Sequence, residues 1–310
     1  MEAVMEAARG EEQPSTSGAA DFDSHGAKDR LLRKAEAVLA KRTDRILLVL
    51  ERCTDNQNYL ACLRTAEILG VQNVWIVLSP RGMKNEALVG GDGDEEPGPS
   101  GHHHDRPELS KKRGRIARCS SQWLDIRTFA TTAECVAALH ADSREIWATD
   151  LAQSAILLEG TNIPLPPRLA IVMGREADGV SQEMLQAAHR RVCLPMYGYN
   201  DSFNLSVATA MVLHHLFVCC PEARGDLTAE RLRSLRLDWY GRLARTDAQR
   251  AEFLARVDDP PPPFVDVRRP DEHRTSWVPP KIARKEEQAA SGLAEQKQTI
   301  RDQAENGGSA

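Results

Sequence analysis

The seven cysteines (53, 62, 119, 135, 193, 219 and 220) form no CxxC pair. The usual zinc-ribbon and dithiol-redox signatures are therefore absent. Their odd number, and the apolar runs around most of them, fit reduced buried thiols in a cytoplasmic compartment better than a disulfide framework. No apolar run approaches the ~20 residues that a membrane span requires. The opening "MEAVMEAARGEEQPSTSGAADFD" is acidic and has no apolar centre, so it reads as neither a secretory signal nor an organelle transit peptide. A basic excess is missing too: 40 Lys and Arg stand against 45 Asp and Glu, a net charge of -5, so a polyanionic partner would have to be met by local patches. Aromatic residues make up only 5% of the chain. The phosphate and hydrolase motifs are also lacking. "GGDGDEE" has no third glycine, and Gly174-Arg175-Glu176-Ala177-Asp178-Gly179 is followed by Val180 and not by Lys-Ser/Thr. With no GxSxG, HExxH or paired metal carboxylates either, dehydrogenase, P-loop, hydrolase and zincin readings lose support.

What the chain does have is alternation. Strand-like runs occur at 45–50, 74–78, 123–129, 145–151, 169–174 and 191–195. Helical patterns lie at about 58–69, 132–141, 182–190 and 204–220. "TTAE" at 131–134 and Ser181 make good helix starts. Unbroken apolar strands between amphipathic helices predict an α/β domain with a mainly parallel sheet and helices on both faces. We assign 28–220 to this domain, 1–27 and 266–310 to polar tails, 81–118 to a low-complexity insertion, and 221–265 to a helical extension.

Two tracts concentrate positive charge. "KDRLLRKAEAVLAKRTDR" at 28–45 has an apolar helical face and seven Lys or Arg, among them Arg33 and Lys34. It suits a solvated helix docked on the domain or one that touches phosphates. "KKRGRIAR" at 111–118, with Lys111, Lys112, Arg113 and Arg115, is the densest basic patch; it is a solvated linker or, if the partner is RNA, a phosphate contact. His102, His103 and His104 lie in the loop before it, a poor place to fix a metal.

Three polar clusters follow strands. The first, "DNQNYLACLRTAEILGV" (55–71), puts Asn58 at a helix start and Arg64 on an otherwise apolar face, where pairing with Glu67 is one explanation. The second, "VMGREADGVS" (172–181), sets Glu176 between Gly174 and Gly179, which a plain turn does not need. The third, "CLPMYGYNDSFNLS" (193–206), crowds Asn200, Asp201, Ser202, Asn204 and Ser206 into the mouth of an apolar helix. A cap needs one such residue. Helix mouths also present free amides to ligands.

These clusters together resemble the motifs of the SPOUT-class RNA ribose 2′-O-methyltransferases of the TrmH family. Asn58 with Arg64-Thr65 matches the first motif, and Gly174, Glu176 and Gly179 match the second. Leu194-Pro195-Met196 with Ser202-Phe203-Asn204-Leu205-Ser206 matches the third, with Phe203 where the family usually has Leu. The likeness runs from about residue 30 to 270 and is nearest the tRNA guanosine branch. It implies a deep C-terminal trefoil knot, a homodimer with the site built across the interface, and S-adenosylmethionine as methyl donor without a metal. The donor would be held by Thr149 to Leu151, Met173 to Glu176, and Leu194 to Leu205, with Phe203 reshaping its pocket.

For the acceptor, the resemblance implies catalytic roles for Arg64, Asn58, Glu176, Ser202 and Asn204. A guanidinium with a pKa above ~12 is a reluctant base. We therefore expect Arg64 to act as a fork on the neighbouring phosphate that orients and acidifies the ribose hydroxyl. Three other readings stand beside tRNA: an rRNA ribose methyltransferase, a non-catalytic RNA-binding relative, and a nucleotide-using protein on a flavodoxin-like sheet. Intact Arg64, Glu176 and Asn204 weigh against the second of these, and the missing phosphate loops against the third.

Overall fold

β1 (Thr43–Glu51) shows why the apolar runs are continuous. Ile46, Leu48 and Leu50 enter one core cluster, while Leu47 and Val49 enter another on the opposite face. A strand buried on both sides needs apolar residues at every position. The computed structural model describes residues 29–79 and 120–268. In chain order its further elements are α1 (Asp29–Leu39), α2 (Asn56–Leu69), β2 (Val71–Val77), β3 (Asp125–Phe129), α3 (Thr132–Ala141), β4 (Glu145–Thr149) and β5 (Ile156–Leu157). They continue with β6 (Leu169–Met173), α4 (Gln182–Ala187), β7 (Arg190–Cys193), α5 (Leu205–Cys219), a 3₁₀ turn (Pro221–Ala223), α6 (Ala229–Leu243) and α7 (Asp247–Leu254).

The strands form one sheet in the order β3-β2-β1-β6-β4-β7-β5, and every pairing is parallel. The expected parallel α/β architecture is present. α2 and α5 cover the face that receives Leu48, and α3 and α4 cover the face that receives Val49. Because β6 inserts between β1 and β4, the direction of strand progression reverses beside β1. Such switch points open a crevice at the carboxyl ends of the strands.

Element boundaries differ where side chains take over. The helix expected to 190 stops at Ala187, because His189 joins the sheet: its amide reaches the Ile146 carbonyl at 2.8 Å and its Nδ1 accepts the Ile146 amide at 3.0 Å. β5, two residues long on the sheet edge, is too short to have left a pattern in the sequence. The expected helix start at Thr131 is a capping box, and Thr246 begins another. Thr131 and Thr246 accept the Glu134 and Gln249 amides at 3.2 Å, and Glu134 and Gln249 reach back to the amides of Ala130 and Arg245.

The basic tract at 28–45 requires correction. The helix ends at Leu39, Arg45 already lies in β1, and Lys28 lies outside the described residues. Arg33, expected at RNA, is 2% exposed: its Nε donates to the Pro262 carbonyl at 3.0 Å and its guanidinium lies 4.4 Å from the Phe264 ring centre. Arg42 is buried against Trp239, donating to the Val71 carbonyl at 3.0 Å and pairing with Glu67 at 2.8 Å. Arg45 donates to the Pro166 and Leu165 carbonyls at 2.9 and 2.7 Å. An arginine fork that finds backbone carbonyls and aromatic faces nearby acts as an internal clip. Lys34 remains exposed.

α1 joins α6 and α7 in a third cluster of Leu32, Ala35, Leu39, Leu235, Trp239, Tyr240 and Phe253. Glu36 is buried there, accepting Arg236 and, at 2.7 Å, the Tyr240 hydroxyl. Beyond Val265 three residues are described, and Arg268 pairs with Asp266 among them. No helix among the described residues is long and apolar enough to cross a membrane.

One buried carboxylate ties the functional edge together. Glu51, 1% exposed at the end of β1, accepts the Ser181 amide at 2.8 Å, the Ser181 hydroxyl at 2.5 Å and the Thr132 hydroxyl at 2.7 Å. It thereby binds the first turns of α3 and α4 to the central strand. Glu51→Ala is expected to lower stability by about 2–4 kcal/mol, since it leaves buried donors without their charged acceptor. A shifted urea midpoint at unchanged m-value checks this, and an unshifted midpoint would show the tie to be dispensable.

Candidate active site

The three polar clusters meet at the carboxyl edge of the sheet, after β1, β6 and β7. Asp55, in extended backbone, caps α2 by accepting the Asn58 amide at 2.8 Å. Asn58 was expected to open this helix; with Asp55 as the cap, its side chain is free to reach across the crevice. It donates from Nδ2 to Glu176 and accepts from Asn204 Nδ2 at 3.0 Å. Asn204 caps α5, and its Oδ1 accepts the Ser206 amide at 3.0 Å and the Ser206 hydroxyl at 2.6 Å.

This chain of bonds has one direction. The cap requires Asn204 to turn its oxygen to Ser206 and its NH₂ to Asn58, and Asn58 must then present its own NH₂ to the Glu176 carboxylate. A helix mouth, a side-chain amide and an anion from three separate segments are thus held in one register. The second Glu176 oxygen has no partner among the described residues, and Glu176 is exposed.

The loop that carries Glu176 is a tight turn. Arg175 and Gly179 exchange backbone hydrogen bonds at 3.3 and 2.9 Å, and Arg175 pairs with Asp178, holding the Asp178 carboxyl below the usual carboxylate range. Gly179 has φ 67°, which favours glycine. Gly174 has no room for a side chain: a Cβ there would lie 2.1 Å from the Gly179 carbonyl carbon and 2.2 Å from the Val180 nitrogen.

Two expected residues stand apart from this network. Arg64 is exposed on α2 and makes no hydrogen bond or ion pair among the described residues. Its alternative partner Glu67 is taken by Arg42. Ser202 is exposed and likewise unbonded.

On the expected donor side, Thr149 Oγ1 donates to the Val172 carbonyl at 3.0 Å, joining the ends of β4 and β6. Leu151 is exposed, Leu194 and Met196 are half-buried, and Phe203 is 39% exposed. Met173 and Leu205 are buried in the core, which leaves only their backbone for a ligand. The backbone amides of residues 196–203 have no backbone partner among the described residues.

Lys111, Lys112, Arg113 and Arg115 lie outside the described residues, as do His102, His103 and His104. Cys53 and Cys62 lie beneath the site, and burial pushes their thiols up to about 12 and about 11, so neither is a nucleophile at neutral pH. Sequence reasoning missed Asp55 and Glu51. The Asp-x-x-Asn spacing before an apolar run was a readable cap signal for the first. A single glutamate closing a strand signals nothing until its partners are seen.

The fold and this edge define a parallel α/β protein whose switch-point crevice is lined by loops that follow three strands. The model of the SpoU rRNA Methylase family matches residues 101–214. The tRNA (guanosine(18)-2'-O)-methyltransferase of Borreliella burgdorferi is 30% identical over 219 residues, covering 70% of this chain and 87% of that one. The Escherichia coli K12 protein of the same name is 27% identical over 177 residues, covering 57% of this chain and 65% of its own. Among solved structures, the A. aeolicus TrmH/SpoU tRNA modifying enzyme superposes with a TM-score of 0.52 at 22% identity, covering 70% of this chain and 97% of that one. The chain belongs to the SpoU/TrmH family of RNA methyltransferases.

Proposed function

We propose that this protein transfers a methyl group from S-adenosylmethionine to a ribose 2′-hydroxyl of RNA, with a guanosine in tRNA as the acceptor. The observation that carries the reading is the directed chain from Ser206 through Asn204 and Asn58 to Glu176, which joins the three family motifs at the switch point. The edge also suits an amphipathic donor. It offers unpartnered backbone amides at 196–203 beside apolar Leu151, Leu194, Met196 and Phe203. When bound, the donor supplies an already activated methyl group on a sulfonium, so the protein's task is positioning.

Asn58, Glu176, Ser202 and Asn204 fix the ribose, the loop and, with RNA bound, Arg64. Arg64, free on its helix, forks onto the phosphate next to the acceptor and acidifies its hydroxyl. The segment from β6 to α5 is threaded as a trefoil knot; β6 lying between β1 and β4 agrees with that path. A second copy completes the site. Exposed Val207, Met211 and Val218 on α5 and Ile68 on α2 favour a homodimer. Residues 28–220 carry the activity in the cytoplasm, 221–265 extend it, and Lys34 with Lys111, Lys112, Arg113 and Arg115 meets the RNA.

Incubation of the pure protein with methyl-labelled donor and total tRNA, in EDTA, is expected to label tRNA. Mass spectrometry of nuclease digests is expected to place the label on a guanosine ribose, and sedimentation to show a dimer. Label in rRNA alone would move the acceptor, label on a base would refute the ribose chemistry, and an active monomer would refute the shared site.

A further inference from the structure

The loop from β7 to α5 offers its backbone amides to the donor and Asn204 to the relay, which leaves two of its side chains without a use. The chain has four tyrosines. Two of them, Tyr59 and Tyr240, are buried in the core clusters. The other two, Tyr197 and Tyr199, are 91% and 106% exposed and flank Gly198 at a bend. Apart from these two neighbours, a Cβ on Gly198 would meet nothing within 4 Å, so the bend that carries the rings stands clear of the rest of the fold. Neither phenol makes a hydrogen bond among the described residues. Five residues further on, Asn204 enters the relay to Asn58 and Glu176. Two large rings held in water beside a polar crevice call for a flat apolar partner.

We infer that Tyr197 and Tyr199 form a stacking platform for an unpaired base of the acceptor RNA, at or next to the methylated nucleotide. This deepens the reading above and rests on it. Proteins that read RNA in single-stranded form take unstacked bases onto exposed aromatic faces, and such stacking tolerates any base because every base has a π-face. The position suits this role. A ribose brought to Asn58 and Asn204 carries a base that must leave its own stack, and the tyrosines lie on the same connection as Asn204. The platform therefore offsets the cost of unstacking where the 2′-hydroxyl is presented.

The test uses the full chain. Tyr197→Ala and Tyr199→Ala are each expected to raise KM for tRNA by about fivefold to a hundredfold, the scale of one lost base–aromatic stack. The donor takes this loop's backbone amides and not its two exposed rings, so S-adenosylmethionine affinity by calorimetry should stay at the wild-type value, as should the sedimentation coefficient. Phe or Trp at either position should restore KM, and Leu should not. A Leu variant as good as Phe would overturn the platform, since it would show that apolar cover suffices. A change in oligomeric state in the Ala variants would overturn it in favour of a subunit contact, and an unchanged KM would overturn it outright. Fluorescence anisotropy with a short single-stranded oligoribonucleotide measures the platform apart from methyl transfer. Weaker binding by both Ala variants supports it even if no RNA is methylated, a result that would instead refute the proposed reaction.

Discussion

Arg64→Ala is expected to leave the affinity for S-adenosylmethionine nearly intact and to lower methyl transfer to RNA by about a hundredfold or more, the scale of losing an electrostatic or acid–base group. The expectation follows from where Arg64 stands. It lies on α2 and not on the loops after β4, β6 and β7, and its guanidinium is tied to nothing among the described residues. Of the arginines near it in sequence, Arg42 and Arg45 are locked into the fold by Glu67, Val71, Leu165 and Pro166. An exposed and unpaired arginine on a helix that also carries Asn58 is available for a ligand. Arg64→Lys separates the two mechanisms. Lysine lacks the planar fork, so a phosphate-orienting role fails with it. A deprotonated-base role would instead survive, with a rate rising with pH, because a lysine pKa is about two or more units lower. A lysine variant with a near wild-type rate at neutral pH would refute the fork.

The sequence made the sheet legible for a physical reason: strands covered on both faces leave unbroken apolar runs, and β1 and β6 are of that kind. It did not reveal β5, whose two residues carry no period. The basic tract stayed open between a docked helix and a phosphate contact because charge in a sequence does not say which way a side chain turns; the helix is docked. Arg33, Arg42 and Arg45 look like a cationic face, yet each finds a carbonyl, a carboxylate or an aromatic ring within the fold. The site was legible as three motifs, but their connection was not. That Asn204 must face Asn58, and Asn58 must face Glu176, depends on side-chain amide orientation, which only the assembled edge fixes. The crowd of polar residues at the mouth of α5 is partly explained in the same way: Ser206 and Asn204 bond each other, and Asn204 serves the cap and the relay together.

Gly174→Ala is expected to lower donor affinity by about a hundredfold or more, and methyl transfer with it, while the protein stays folded. The atoms that an added Cβ would strike, 2.1 Å and 2.2 Å away, belong to the backbone of Gly179 and Val180, so no side chain can swing aside. The turn itself must open. Opening it breaks the paired hydrogen bonds between Arg175 and Gly179, shifts the strand-end backbone and draws Glu176 away from Asn58. The damage should remain local, because β6 is held on both sides by β1 and β4 and ends before the turn. Near-UV circular dichroism should therefore keep its native form, with calorimetry reporting the lost donor binding. Gly241→Ala supplies the control. It lies within α6, where a Cβ would meet Arg250 Nε at an ordinary 3.7 Å, and alanine in a helix is favoured over glycine by up to about 1 kcal/mol. If a folded Gly174→Ala protein bound the donor as tightly as wild type, the turn after β6 would not belong to the donor pocket, and the placement of the donor at this edge would have to be abandoned.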